Sequence, residues 1–357
     1  MAKSLLILGS AGFIGTAIRR AAAAEYELLS VDLVATPAAA GLTGVARVVG
    51  EERYEVDLGS PEEIDGLWTD AQLDGRDIAA VIDLAAYYDF RNQPDPRYDR
   101  VVRGLAHLLR RLGESLRSDV PFLYASSMAA MAPTEPGQKR AADSPRAGIW
   151  AYPRHKCEAE ATIEAAAIPQ PRVELVLAAV YSKWCELVPL YQHIEQAARR
   201  SPLSSLYPGP VDRGLTYVHL SSVAEAFLRS VDAFKGKSGV HRLLIGEDRP
   251  VTYLQIHRAA QRAFRRRQGR IRRIPKWLAR VGARILVWMG KLFGKTPFIH
   301  PWMVDLAGEH FEFDLRPTRQ LLEWQPDGYL GDRLDDLCDR AVIHREIWLA
   351  KNESRPR

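Results

Sequence analysis

Short apolar runs recur along this chain, and each is followed by a longer stretch in which apolar residues return every three or four positions. The runs at 4–8, 27–31, 54–58, 79–86, 120–125 and 173–180 read as strands buried on both faces. The stretches between them read as helices: 16–24, one opening at Ser60-Pro61-Glu62-Glu63, 96–116, and one that carries Tyr152 and ends before Pro169. Ser60 is placed as an N-cap, Pro61 at the first helical position and Glu63 three residues after the cap. Strict alternation of strand and helix predicts an α/β fold with a doubly wound parallel sheet. Residues 1–180 are expected to form it, with 215–245 returning through 216–219 and 240–245. Residues 181–214 and 246–357 then make a smaller, discontinuous C-terminal cap.

The turn after the first strand carries the first chemical signal. Gly9-Ser10-Ala11-Gly12-Phe13-Ile14-Gly15 joins strand to helix directly. In that context Gly9 permits the tight turn, Gly12 lets a pyrophosphate approach the backbone, and Gly15 lets helix pack on strand. The second strand ends at Asp32, 23 residues past Gly9, where an acid accepts hydrogen bonds from the adenosine ribose. Its charge would repel a 2′-phosphate, and no Arg or Lys directly follows, so NAD is expected in preference to NADP. Strand, glycines, helix and acid agree, which favours a Rossmann cofactor domain over a glycine-rich turn that binds nothing.

The second signal is Tyr152-Pro-Arg-His-Lys156. A Tyr and a Lys four apart share one helix face. A free Tyr, with a pKa of about 10, is a poor base at neutral pH, and a nearby ammonium favours its phenolate. Such pairs occur often on solvated helices; this one gains weight from the cofactor turn, Asp32 and Ser126-Ser127 that precede it in order.

Together these residues resemble the extended short-chain dehydrogenase/reductases, the NAD-dependent epimerase/dehydratase family. The resemblance rests on Gly9-x-x-Gly12-x-x-Gly15, Asp32, Asp57-Leu58, Leu84-Ala85-Ala86, Tyr124-Ala125-Ser126-Ser127, Tyr152-x-x-x-Lys156, Val180-Tyr181 and a C-terminal echo at Asp314 and Leu322-Glu323-Trp324-Gln325-Pro326. It implies hydride transfer at a secondary alcohol or ketone, with Ser127, Tyr152 and Lys156 as catalytic residues. It also implies that Gly9, Gly12, Phe13, Ile14 and Gly15 line the cofactor, that Asp57 and Leu58 contact the adenine, and that Ala85 borders the cofactor. Lys156 would hold the nicotinamide ribose. A homodimer, built on helices such as 96–116 and the Tyr152 helix, is a further implication.

Several positions depart from the family pattern. Asp83-Leu84 stands where a His is usual, and His155 where Ser often precedes the Lys. The Arg and Asn that nucleotide-sugar members place around the sixth strand are replaced by Val176-Leu177-Ala178-Ala179-Val180. Arg213 is out of register with the Arg that such members place before their Tyr-x-His strand, here Tyr217-Val218-His219. A diphosphate needs fixed cations or aligned amides. These losses turn the expectation toward an NAD-dependent oxidoreductase with a hydrophobic, steroid- or alkyl-like substrate. A nucleotide-sugar epimerase or dehydratase is the first alternative, with Arg213 or Arg249 substituting for the missing cation. A non-catalytic NAD(H)-binding assembly or sensor protein is the second.

Composition adds one more feature. Of 49 Lys and Arg, 13 fall between Arg258 and Lys295 with no Asp or Glu among them, so the remaining 36 face all 44 acidic residues. Arg262 to Arg273 holds seven Arg. Residues 275–294 then read as an amphipathic helix, with Trp277, Leu278, Val281, Ile285, Leu286, Trp288, Met289, Leu292 and Phe293 on one side and Lys276, Arg280, Arg284 and Lys291 on the other. Basic residues opposite Trp and Phe suit a helix lying on an anionic membrane through 262–294. The competing expectation is a cap helix that packs its apolar side on the core. Nucleic acid is not expected, because no reading motif accompanies the Arg run. Nine His show no metal-ligand spacing, so no metal is expected. His300-Pro301-Trp302-Met303 is either a packed turn or a pocket wall. Cys157, Cys185 and Cys338 are scattered, which suggests a reducing compartment. With no signal peptide and no membrane-spanning run expected, the chain reads as cytoplasmic, either free or peripheral on the inner face of the membrane.

Overall fold

The computed structural model describes residues 3–89, 92–199, 201–264, 270–292 and 300–353. Its centre is a seven-stranded parallel sheet. The strands and helices run β1 (Ser4–Leu8), α1 (Phe13–Ala22), β2 (Glu27–Asp32), β3 (Gly50–Glu55), α2 (Pro61–Asp70), β4 (Ile78–Asp83), α3 (Pro96–Ser115), β5 (Phe122–Ser127), α4 (Ala151–Ala165), β6 (Arg172–Leu177) and β7 (Ala179–Tyr181). They continue as α5 (Val188–Ala198), β8 (Leu206–Tyr207), β9 (Gly214–Leu215), β10 (Tyr217–His219), α6 (Leu220–Phe234), β11 (Val240–Ile245), β12 (Val251–Thr252) and α7 (Tyr253–Ala263). The last are β13 (Arg272–Arg273), α8 (Lys276–Leu292), α9 (Met303–Leu306), α10 (Arg316–Leu322), α11 (Leu330–Ile343) and α12 (Arg345–Glu353). Sheet order is β11-β6-β5-β4-β1-β2-β3. The order reverses between β1 and β4, which places the crevice for a ligand beyond their C-terminal ends.

Alternation along β1 explains why helices cover both faces. Leu5 and Ile7 are buried with Ile18 of α1 and Phe227 and Phe234 of α6. Leu6 and Leu8 point the other way, into a cluster with Trp68 of α2, Leu108 and Leu112 of α3 and Ile163 of α4. A third cluster, built from α5, α7 and α11 around Tyr191, Ile256, Leu337 and Trp348, is the core of a smaller, mainly C-terminal region. Cys157, Cys185 and Cys338 are all unpaired thiols.

Local signals explain the helix starts. Ser60 accepts from the Glu63 amide at 3.3 Å, with Pro61 in the first turn. Asp95 caps α3 in the same way through Arg97, ahead of Pro96.

Strand ends differ from the sequence expectation for local reasons. β4 stops at Asp83 rather than 86, because the Asp83 carboxylate accepts the Ala85 amide at 2.9 Å and bends the chain. β3 stops at Glu55 rather than 58, because Asp57 accepts the Gly59 amide at 2.8 Å and turns the chain toward α2. The expected strand at 173–180 breaks at Ala178 into β6 and β7. Of the two segments expected to rejoin the sheet, 240–245 does so as β11, beside β6. Residues 217–219 pair instead with β7 in a separate two-stranded sheet.

Candidate active site

The glycine turn is shaped by contacts that leave no room for side chains. Gly9 has φ +79°, and a Cβ there would come within 3.0 Å of the Leu84–Ala85 backbone. A Cβ at Gly15 would come within 2.3 Å of the Gly9 carbonyl oxygen. Gly12 is the N-cap of α1, no side chain caps the helix, and its first turn holds no acid. Phe13, Ile14 and Gly15 therefore open a helix N-terminus suited to an anion. Asp32 lies beside it, with Oδ2 accepting the Ala11 amide at 2.8 Å. Leu33 and Val34, both exposed, follow Asp32.

Asp57 and Leu58 are fixed from outside by α3. Arg100 reaches the Asp57 carboxylate at 2.5 Å, and Gly104 packs so closely that a Cβ would come within 1.7 Å of the Leu58 carbonyl oxygen. These residues, spread from 9 to 58, fit a dinucleotide: a close-approach turn, an open helix start and an acid at the end of β2.

The catalytic candidates meet at the ends of β4 and β5. Ala85, Ala86, Tyr152 and Lys156 line one cleft, together with Tyr87 and Tyr98. The two serines separate in role. Ser126 is buried and donates to Glu160, which belongs to a cluster with Arg146, Arg242 and Glu174. Ser127 instead accepts the Ala129 amide at 3.2 Å and lies near enough to Tyr152 for its hydroxyl to act on the phenol. Tyr152 stands in the first turn of α4, where Tyr88 meets it edge-on at 4.5 Å and Trp150 lies 5.7 Å away. Burial pushes its phenol up to about 12, against the downward pull of the Ser127 hydroxyl.

Lys156 does not lie against that phenol. Its Nζ is 6.0 Å from the Tyr152 ring centre and donates to the Tyr124 hydroxyl at 3.1 Å and the Ala125 carbonyl at 2.8 Å. Burial lowers its pKa to about 8, while Asp83 and Glu160 hold it up. The expected depression of the Tyr by the Lys is thus replaced by a raised phenol and a lowered ammonium. Asp83, buried beside them, is pushed up to about 6 by burial, with the Ala85 amide and Lys156 opposing.

Sequence reasoning missed Asp83, Tyr124, Tyr88 and Trp150 as parts of this site. Trp302, left open between a turn and a pocket wall, lies 4.9 Å from Trp150 and extends the aromatic wall above Tyr152. Arg213, one candidate for binding a diphosphate, is paired with Glu135. Arg249, the other, lies 4.3 Å over the Tyr329 ring.

The model of the NAD dependent epimerase/dehydratase family matches residues 5–246. This chain belongs to that family. The matched span contains the glycine turn, Asp32, Ser127, Tyr152 and Lys156. No curated protein matches the sequence. Among solved structures the fold is similar to UDP-glucose 4-epimerase from Thermotoga maritima with UDP-glucose, at TM-score 0.68 and 16% identity over 96% of this chain and 99% of that one. It is equally similar to dTDP-glucose 4,6-dehydratase from Bacillus anthracis in complex with NAD, at TM-score 0.68 and 14% identity over 98% and 100%. UDP-glucose 4-epimerase from Thermus thermophilus, in complex with NAD, gives TM-score 0.65 and 17% identity over 94% and 98%. These similarities show the fold, and neither they nor the family model supports the expected steroid- or alkyl-like substrate.

Proposed function

We propose that this family member catalyses NAD-dependent hydride transfer at a carbinol carbon, with Tyr152 as general acid and base. The observation that carries this reading is the cleft that Ala85, Tyr152 and Lys156 line together, beside the end of the strand that carries Ser127. Gly9, Gly12, Phe13, Ile14 and Gly15 would hold the pyrophosphate, Asp32 the adenosine ribose, Asp57 and Leu58 the adenine, and Lys156 the nicotinamide ribose. NAD, when bound, supplies the hydride acceptor and a positive ring charge. Ser127 orients the substrate oxygen, and Tyr152 takes or returns its proton. Lys156, with a pKa of about 8, keeps most of its charge at neutral pH one helical turn away, and the positive ring of bound NAD would add to the field that favours the phenolate. A homodimer through α3 and α4, which pack on one another, belongs to the same reading.

A nucleotide sugar is the favoured substrate class, supported by family membership and by structural neighbours that include epimerases and a dehydratase. The hydride then leaves and returns within one turnover, so the enzyme is an isomerase or lyase rather than a net oxidoreductase. A second reading keeps an apolar secondary alcohol with net oxidation. The wall formed by Tyr88, Trp150 and Trp302 and the pairing of Arg213 with Glu135 support it.

Incubation with NAD and either UDP-glucose or dTDP-glucose, followed by NMR of the sugar, tests the first reading. A C4 epimer or a 4-keto-6-deoxy sugar is expected, with no net NADH. Net NADH from a hydrophobic secondary alcohol, with the sugars unchanged, would shift the assignment to the second reading. No turnover of either class by a chain that binds NAD would leave the non-catalytic alternative.

A further inference from the structure

The apolar face of α8 points away from the protein. At 3.6 residues per turn, Trp277, Leu278, Val281, Ile285, Trp288 and Met289 fall within about 120° of the helix circumference. All are exposed, Trp277 and Trp288 at 64% each. The inward side is made of small residues: Ala283 is buried, and Ala279, Val287 and Gly290 flank it partly buried. The expectation of a helix that packs its apolar side on the core is therefore reversed. Residues 265–269 and 293–295 of the basic segment lie outside the described residues.

The cations border this face. Arg284 is exposed beside Trp277 and Trp288 on the helix wheel, and it has no acidic partner among the described residues. Arg272 and Arg273, both exposed, form β13 at the entry to the helix. Arg280 and Lys276 are held by Asp305, through its carboxylate and its carbonyl respectively. The two Trp stand about 16 Å apart along the axis, so both ends of the exposed face carry an interfacial aromatic. Among the described residues no helix is long and apolar enough to cross a membrane.

We propose that α8 is a docking surface for an anionic lipid bilayer, lying in its plane with Trp277, Ile285 and Trp288 in the acyl boundary and Arg272, Arg273 and Arg284 on headgroup phosphates. Charge decides the occupant. A second copy docked through the same face by a two-fold axis would bring Arg284 and β13 toward their own symmetry mates, like charge to like. A nucleic acid would match the charge but leave the Trp and Ile face without an apolar partner.

Flotation of the full chain with vesicles of phosphatidylcholine, with and without phosphatidylglycerol, tests this. The chain is expected to float only with the anionic vesicles, with a blue shift of Trp emission and release at high salt. Trp277→Ser with Trp288→Ser, and separately Arg272→Ala with Arg273→Ala, should each weaken binding by roughly tenfold or more. Both pairs of positions are exposed, so retained NAD binding serves as the control for folding. A chain that stays in the soluble fraction with both vesicles, or binds neutral vesicles equally well, overturns the proposal. So does self-association lost in the Trp variant without lipid binding, or retention on an oligonucleotide without vesicle binding.

Discussion

Lys156 donates to the Tyr124 hydroxyl at 3.1 Å, so a residue of β5 holds the ammonium that the α4 spacing directs toward Tyr152. The Tyr124 side chain is itself buried. Its hydroxyl is one of two oxygens that make a buried positive charge tolerable there, the Ala125 carbonyl being the other.

Tyr124→Phe should remove one of these acceptors while keeping the ring packed. Burial already lowers Lys156 to about 8, so losing an acceptor for its ammonium moves it lower still. The high-pH fall of kcat, where Lys156 loses its charge, is expected to shift to lower pH. A kcat profile superimposable on that of the parent would show that Tyr124 does not set the state of Lys156.

Tyr152→Phe should lower kcat by about 10² to 10⁴-fold while NADH affinity, measured by fluorescence titration, stays within a few fold. The ring contacts with Tyr88 and Trp150 survive in this variant, so the chain is expected to fold. Turnover close to that of the parent would remove Tyr152 from the mechanism and leave Ser127 without its assigned partner.

Asp32→Ala should weaken NAD binding and narrow its margin over NADP, by roughly tenfold or more in the ratio of dissociation constants. Two effects combine. The carboxylate that faces the ribose disappears, and the Ala11 amide loses its acceptor at 2.8 Å, loosening the turn itself. Titration with both cofactors separates them, because loosening weakens both while charge removal favours NADP alone. An unchanged ratio would refute the role of Asp32 in discrimination.

Much of the fold was legible because its determinants are local. The apolar runs of β1, β2, β4, β5 and β6 mark buried parallel strands, whereas β3, a charged edge strand at Gly50–Glu55, overlaps the expected run at 54–58 by two residues only. Ser60-Pro61 and Asp95-Pro96 mark helix starts within four residues. The cofactor turn was legible for the same reason: glycines, helix and Asp32 lie within 24 residues of sequence. What escaped depends on distant partners. The direction of Lys156 is set by Tyr124, and Trp302 meets Trp150 only because the smaller C-terminal region closes over α4. The orientation of α8 stayed between two expectations for another reason. An amphipathic pattern gives two faces but not which one packs, and here Ala279 and Ala283 lie inward while the larger apolar residues stay outside.

The ion cluster behind Ser126 gives the chain a pH dependence of stability. Glu174 of β6 faces Glu160 across Arg146 and Arg242, and both carboxylates are fully buried. Burial pushes Glu174 up to about 8, Glu160 adds to the rise, and the two Arg oppose it. An unfolded Glu titrates near 4.3, so between about 4.3 and 8 the folded chain keeps a proton that the unfolded chain has released. The stability linked to this proton is complete below the unfolded value and is lost as pH rises through about 8. Glu174→Gln stays neutral throughout and keeps an oxygen for Arg146. The variant should therefore show a flatter Tm between about pH 5 and pH 9 and exceed the parent at the alkaline end. Thermal unfolding of both proteins across that range decides it. If the variant keeps the alkaline decline of the parent, the titrating group lies elsewhere and Glu174 is ionised in the folded chain.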